Sequence, residues 1–90
     1  MIPETNSEVE TTVRAVLRDI LGISQERVDA FRAETELFGA LPELDSMAVM
    51  SLLTEIEDRL GILIDDDEVD ADMLATFGGL VTFANSKVAG

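Results

Sequence analysis

Apolar side chains recur at helical spacing in three stretches of the chain. Val9, Val13, Val16, Leu17, Ile20 and Leu21 form the first stripe. Ser7 with Glu10 three residues later fits a capping box, which predicts a helix start near Ser7. Gly22 supplies a stop, and Arg14, Arg18 and Asp19 are expected to face solvent. Residues 23–44 show no sustained period. A connection of that length is uncommon unless it is functional or tied down, so Ile23, Val28, Phe31, Leu37, Phe38 and Leu41 are predicted anchors. A short helical turn fits around Gln25–Phe31, while Gly39 and Pro42 break any helix near the end of the connection. A second helix is predicted from about Ser46 to Leu60, with Asp45 as its N-cap and Gly61 as its stop. Its predicted inward stripe is Met47, Met50, Leu53, Ile56 and Leu60, widened by Val49 and Leu52. Ile62–Ile64 are expected to re-enter the core, and a short helix is predicted near Asp67–Leu74. Thr76 then caps a last helix with Phe77, Leu80, Val81, Ala84 and Val88 on one face. Gly78 and Gly79 should each weaken its first turn by roughly 1 kcal/mol relative to Ala. The predicted class is all-α: a four-helix bundle with a long loop between helices 1 and 2 and a short third helix. It reads as one domain over residues 1–90, with an ordered core at about 8–88.

Composition narrows the function more than the fold. In 90 residues, 19 acids oppose 6 bases, for a formal net charge of −13. Such a surface repels nucleic acid and anionic membranes. No apolar run approaches the ~18 residues that span a bilayer, and the acidic opening "MIPETNSEVE" is not a signal peptide. A soluble, cytoplasmic protein is expected. Histidine and cysteine are both absent. Ser46 therefore has no imidazole base, and its context "LDSMA" is not a G-x-S-x-G elbow. Lys87, the one lysine, lies near the C-terminus, and no G-x-x-x-x-G-K-[ST] loop occurs. The run "DDDEVDAD" fails as a calcium loop from Asp66, because position 6 is Ala71 rather than Gly and position 12 is Phe77 rather than Glu. No catalytic residue and no metal site are predicted, and the acidic run is expected to be a solvated loop.

What remains is a serine, after an aspartate, opening an amphipathic helix in a chain without a thiol. "LDSMAVMSLLTEIEDRLGI", with "ETELFGA" before it and "TFGGLVTFANSKV" after it, resembles the acyl carrier protein family over roughly residues 8–88. The resemblance implies that Ser46 is the attachment point for 4′-phosphopantetheine, added from coenzyme A by a phosphopantetheinyl transferase. The arm would import the thiol that the chain lacks and hold acyl or aminoacyl groups as thioesters. Asp45, by the same resemblance, helps to position the transferase's metal and the coenzyme A phosphates, and Met47 completes the D-S-[LM] motif. Ser51, Thr54, Glu57 and Asp58 would form the face that meets basic patches on the transferase, on a loading ligase and on acyl-transfer enzymes. The protein would act as a monomer and do no chemistry itself.

The chain departs from the familiar fatty-acid carriers in three ways. Leu41-Pro42-Glu43-Leu44 separates Gly39-Ala40 from Asp45, Met47 replaces Leu, and Ala48 and Ser51 stand where acids are frequent. Asp-Ser-Met also occurs in D-alanyl carrier proteins, which an adenylating ligase loads. "LPELDSMAVMSLL" is further similar to small carriers found among bacterial exopolysaccharide and exosortase genes. A reading from another class also stands: an acidic helical adaptor that binds a basic protein and is never modified.

The acids generate a first prediction. Between Glu43 and Asp72 there are eleven acids and one base, Arg59, a local charge of −10. Screening should relieve this self-repulsion. The melting temperature should therefore rise with moderate salt or millimolar Mg2+ in a thermal titration. A flat or falling curve would mean that the acids are already compensated internally.

Overall fold

Leu17, Leu37, Leu52, Ile56 and Leu80 are the largest fully buried side chains, and they come from four different parts of the chain. The computed structural model describes the backbone of residues 3–89 and the side chains of residues 8–89. The elements are α1 (Pro3–Leu21), α2 (Gln25–Asp29), α3 (Ser46–Leu60), a 3-10 turn (Asp66–Glu68), α4 (Ala71–Ala75) and α5 (Phe77–Ala89). Among the described residues the only strand-like feature is an isolated antiparallel bridge between Glu36 and Thr76. α1 is the central helix, packed against α2, α3 and α5, while α4 packs on α5. The all-α class with three long helices is as expected, with α2 as an additional short helix.

The first stripe is buried as predicted: Val9, Val13, Val16, Leu17 and Leu21 all lie in the core. The start of α1 differs. The helix begins at Pro3, so Ser7 lies within it rather than capping it, and the Ser7 side chain falls outside the described residues. Proline is compatible with a first helical position because it lacks only an N–H that has no intrahelical partner there. Glu10 pairs along the helix with Arg14 at 2.7 Å.

Arg14 also departs from its expected place in solvent. Its guanidinium donates to the carbonyls of Val28 and Phe31 and lies 4.5 Å from the ring centroid of Phe77. One side chain thus joins α1, the long connection and α5. Within that connection Ser24 caps α2 by accepting from Arg27 N–H. Val28, Phe31 and Leu37 are buried, and Leu41 packs partly against the core. Leu37 and Phe38 N–H groups donate to the carbonyls of Ala75 and Leu74 at 2.8 and 3.0 Å.

Gly78 has a reason that its helix propensity hides. Phe77 and Gly78 N–H groups donate to Thr35 and Ala33 carbonyls. A Cβ at Gly78 would lie 2.8 Å from the Ala33 carbonyl oxygen, inside any normal contact. The missing side chain lets the connection cover the first turn of α5. Thr76 supports that turn as predicted, its hydroxyl accepting from Gly79 N–H at 3.1 Å.

Arg14→Met keeps an apolar stem but strips the donors from two backbone carbonyls. Hydrogen bonds to charged groups are worth about 1.5–3 kcal/mol, so a destabilisation of that size is expected by chemical denaturation. A loss below ~0.5 kcal/mol, the usual range for surface substitutions, would show that water replaces the guanidinium at no cost.

Candidate functional site

α3 begins where the sequence predicts. Asp45 adopts an extended conformation, and its Oδ1 accepts from Ala48 N–H at 2.8 Å while its carbonyl accepts from Val49 N–H at 2.9 Å. Gly61 closes the helix in the left-handed region at φ 67°, where glycine carries no Cβ penalty. Immediately before the cap, Leu44 is buried and its N–H donates to the Leu41 carbonyl. The aspartate is exposed but stands on an anchored residue. Leu44 was missing from the predicted anchors because a single leucine in an aperiodic stretch gives no repeating signal. Glu43 adds a tie to α2 through Arg27, at 3.1 Å. The Arg27 guanidinium, followed by Glu43's own backbone N–H, holds the Glu43 carboxyl below its ordinary range.

Ser46 is the first residue of α3 and is exposed, with no hydrogen-bond partner for its hydroxyl among the described residues. Beside it lies an open cleft of about 300 Å³, lined by Phe38, Ser46, Val49, Val69, Asp70, Ala71 and Leu74. Phe38 is 43% exposed and belongs to this cleft rather than to the core, correcting its expected role as an anchor.

The largest correction concerns the rotation of α3. Leu52, Leu53 and Ile56 are buried, with Ala48, Val49 and Leu60 packed partly against the core. Met47 is 80% exposed and Met50 65% exposed, opposite to the expected inward stripe. The reason is geometric. A helix turns about 100° per residue, so nine residues from Met47 to Ile56 amount to about two and a half turns, which places them on opposite sides. Successive steps of three drift around the helix, whereas Val49, Leu52, Leu53, Ile56 and Leu60 mix steps of three and four and keep one side. Met47, Ser51, Thr54 and Asp58 follow the same rule on the other side, and all four are exposed. Glu57 sits at the edge of that face, where its carboxylate accepts from Ile64 N–H at 2.6 Å. Glu55 pairs with Arg59, which also reaches Asp19 of α1.

The acidic run after α3 is more ordered than a solvated loop. Leu63 is exposed, leaving Ile62 and Ile64 partly packed against the core. The Glu68 carboxylate accepts from Asp65 N–H at 3.0 Å across the 3-10 turn, and Asp70 caps α4 by accepting from Met73 N–H at 2.8 Å. The predicted single short helix is therefore split in two, with extended residues at Val69 and Asp70 between the halves. Among the described residues no cluster of three or more acids is arranged to hold a metal ion, and no helix is long and apolar enough to cross a membrane.

This geometry suits a covalent arm: a free hydroxyl at a helix start, N-terminal amides that favour a phosphodiester anion, and a mainly apolar cleft beside it. A family profile described as "Phosphopantetheine attachment site" matches residues 11–84. The chain belongs to the acyl carrier protein family. Two curated acyl carrier proteins, from Exiguobacterium sp. strain AT1b and Exiguobacterium sibiricum, are each 29% identical over 84 residues, covering 93% of this chain and 99% of theirs. The solution structure of a holo acyl carrier protein from Nitrosomonas europaea superposes with a TM-score of 0.81 at 38% identity, covering 91% of this chain and 96% of that one. The cofactor of this carrier is covalent 4′-phosphopantetheine.

Lys87 of α5 bonds both carboxylate oxygens of Glu68 at 2.9 Å, one residue before Val69 of the cleft. The Lys87 ammonium, followed by the Asp65 N–H, keeps the Glu68 carboxyl below its ordinary range. A carboxyl depressed in the folded state stabilises the fold above its unfolded pKa and loses that contribution as pH falls through the folded value. The stability gap between wild type and Lys87→Met should therefore be open at neutral pH. It should close below the ordinary carboxylate range, as read from melting temperatures across a pH series. A gap that persists at the acid end would mean that Lys87 acts through packing of its stem.

Proposed function

We propose that this carrier holds acyl or aminoacyl groups as thioesters on an arm attached to Ser46, presents them to partner enzymes and performs no catalysis itself. The observation that carries this reading is an exposed, unpartnered serine hydroxyl directly after a cap, at the start of the helix that the family profile spans. When bound, the arm supplies the thiol that the cysteine-free chain lacks. Ser46 provides the attachment oxygen. Asp45 holds the helix start rigid through Oδ1 and keeps its other carboxylate oxygen, Oδ2, for the transferase's metal, which in turn positions the coenzyme A phosphates. Met47 lies against the site as the neighbouring contact.

In this reading the outward face of α3 meets the phosphopantetheinyl transferase, the loading ligase and acyl-transfer enzymes. Ser51 and Thr54 supply its uncharged part. Glu57 and Asp58 supply the charge for basic docking patches, Asp58 more freely because Glu57 is engaged with Ile64 N–H. The chain works as a single monomeric carrier domain in the cytoplasm. Loading by an adenylating ligase, as in D-alanyl carriers, is the variant that the Asp-Ser-Met motif favours.

The test is incubation with coenzyme A and a broad-specificity transferase, followed by intact mass. Wild type should gain a single pantetheine adduct. Ser46→Ala should remain folded, with a stability change under about 0.5 kcal/mol because the site is exposed and Asp45 is the cap, and should gain nothing. An adduct persisting on that variant would place the arm on another residue. No adduct on wild type would favour the unmodified adaptor.

A further inference from the structure

Acids outnumber bases by 19 to 6 in this chain, so a base without an acid beside it is not short of candidates. Arg14, Arg18, Arg27, Arg59 and Lys87 each form an ion pair. Among the described residues Arg32 alone forms none. Glu34 is two residues away and exposed, yet does not pair with it. The backbone at Arg32 is fixed: its N–H donates to Thr35 Oγ1 at 2.7 Å, and its carbonyl accepts from Thr35 N–H at 3.0 Å.

The Arg32 side chain lines an open cavity of about 460 Å³ between α1, the long connection and α5. That cavity shares no residue with the cleft beside Ser46. Phe31, Phe77 and Val81 give it an apolar wall, with the two rings 5.8 Å apart. Arg14 lies over the Phe77 ring. A guanidinium has five N–H donors. Those of Nε, of Nη2 and one of Nη1 are engaged by Glu10 Oε2 and by the Val28 and Phe31 carbonyls, which leaves one Nη1 N–H. Asn85 of α5 brings an amide that makes no side-chain hydrogen bond among the described residues.

Charge and shape select what fits. Glu10 and Arg14 balance each other, so Arg32 leaves the lining with an unmatched positive charge. A monoanion answers it, whereas a phosphate dianion would bring a second charge toward Glu10 with nothing to meet it. The planar fork of a guanidinium suits the two oxygens of a carboxylate. The acids from Glu55 to Asp72 lie on other elements, and screening weakens their repulsion beyond about 8 Å at physiological ionic strength. The volume falls within the range of small-molecule sites, about 300–1,000 Å³.

We propose that this cavity is a second ligand site, taking a small monocarboxylate with a compact apolar body. The carboxylate pairs with Arg32, with the remaining Arg14 N–H and the Asn85 amide as further donors, and the body lies against Phe31, Phe77 and Val81. The site goes beyond the carrier reading and uses no residue of the Ser46 site, so the two stand or fall separately.

The probe is benzoate, titrated at neutral pH and constant ionic strength into the full 15N-labelled chain and followed by backbone amide shifts in NMR. The shifts should saturate in the millimolar range and centre on Arg32, Ala33, Gly78 and Thr82. Benzamide, a neutral analogue of the same shape, should bind at least about tenfold more weakly, because it lacks the charge-assisted pair. Phenyl phosphate, mostly a dianion at that pH, should bind no more tightly than benzoate. Arg32→Gln alters an exposed side chain, so its spectrum should otherwise match wild type, and it should bind benzoate as weakly as wild type binds benzamide. Shifts that stay linear with benzoate concentration would overturn the proposal. Equal binding of benzoate and benzamide, tighter binding of phenyl phosphate, or full benzoate affinity in Arg32→Gln would do the same. So would shifts centred on Phe38, Val49 and Ala71, which would place the ligand in the cleft beside Ser46.

Discussion

Burial of Leu52, Leu53 and Ile56 sets the rotation of α3, and the outward surface of the helix follows from that rotation. Fully burying one such side chain is worth about 1.5–3 kcal/mol. Turning the helix to bury Met47 and Met50 instead would expose three core residues to cover two flexible ones. The core therefore decides, at a distance of one to three turns, that Met47, Ser51, Thr54 and Asp58 face outward. Ser46 is exposed for a different reason: it shares the side of Leu53, seven residues on, but stands at the open end of the helix. Changes in the apolar stripe would disturb the site without touching any residue in it.

The entry to α3 is fixed separately. Four residues stand between Gly39-Ala40 and Asp45, and extra residues in a loop ordinarily add freedom. Here Leu44 sinks into the core, Leu41 packs against it, and Glu43 reaches Arg27. The two backbone bonds from Leu37 and Phe38 to α4 fix the other end of the segment. The cap at Asp45 consequently rests on anchored chain, and Glu68, next to Val69 of the cleft, is tied to α5 through Lys87. Acids that look like a solvated run accept backbone N–H groups and serve as an ion-pair partner.

Much of this was legible in the residues. The Val9–Leu21 repeat, the Asp45 cap, the Gly61 stop, the Thr76 cap and the stripe of α5 all rest on local chemistry that reads directly from spacing. The Met47-Met50-Leu53-Ile56 row misled because a spacing of three is helical between neighbours but not across nine residues. Arg14 was misplaced for a different reason. A charged residue on a helix ordinarily faces water, and nothing local indicates that two carbonyls of a distant connection will meet its guanidinium. Leu44, Phe38 and Gly78 were likewise decided by contacts far along the chain. The role proposed for Ser46 rests on its motif, since an Asp-Ser pair before an apolar run is by itself an ordinary helix start.

Every role proposed for the start of α3 depends on where the arm is attached. Fragment-ion mass spectrometry of wild-type protein, after reaction with coenzyme A and transferase, reads that position directly. The chain contains five serines: Ser7, Ser24, Ser46, Ser51 and Ser86. Fragments containing Ser46 should carry the whole added mass, and fragments containing only the other four should carry none. Added mass on Ser51 or on any fragment lacking Ser46 would contradict attachment at Ser46.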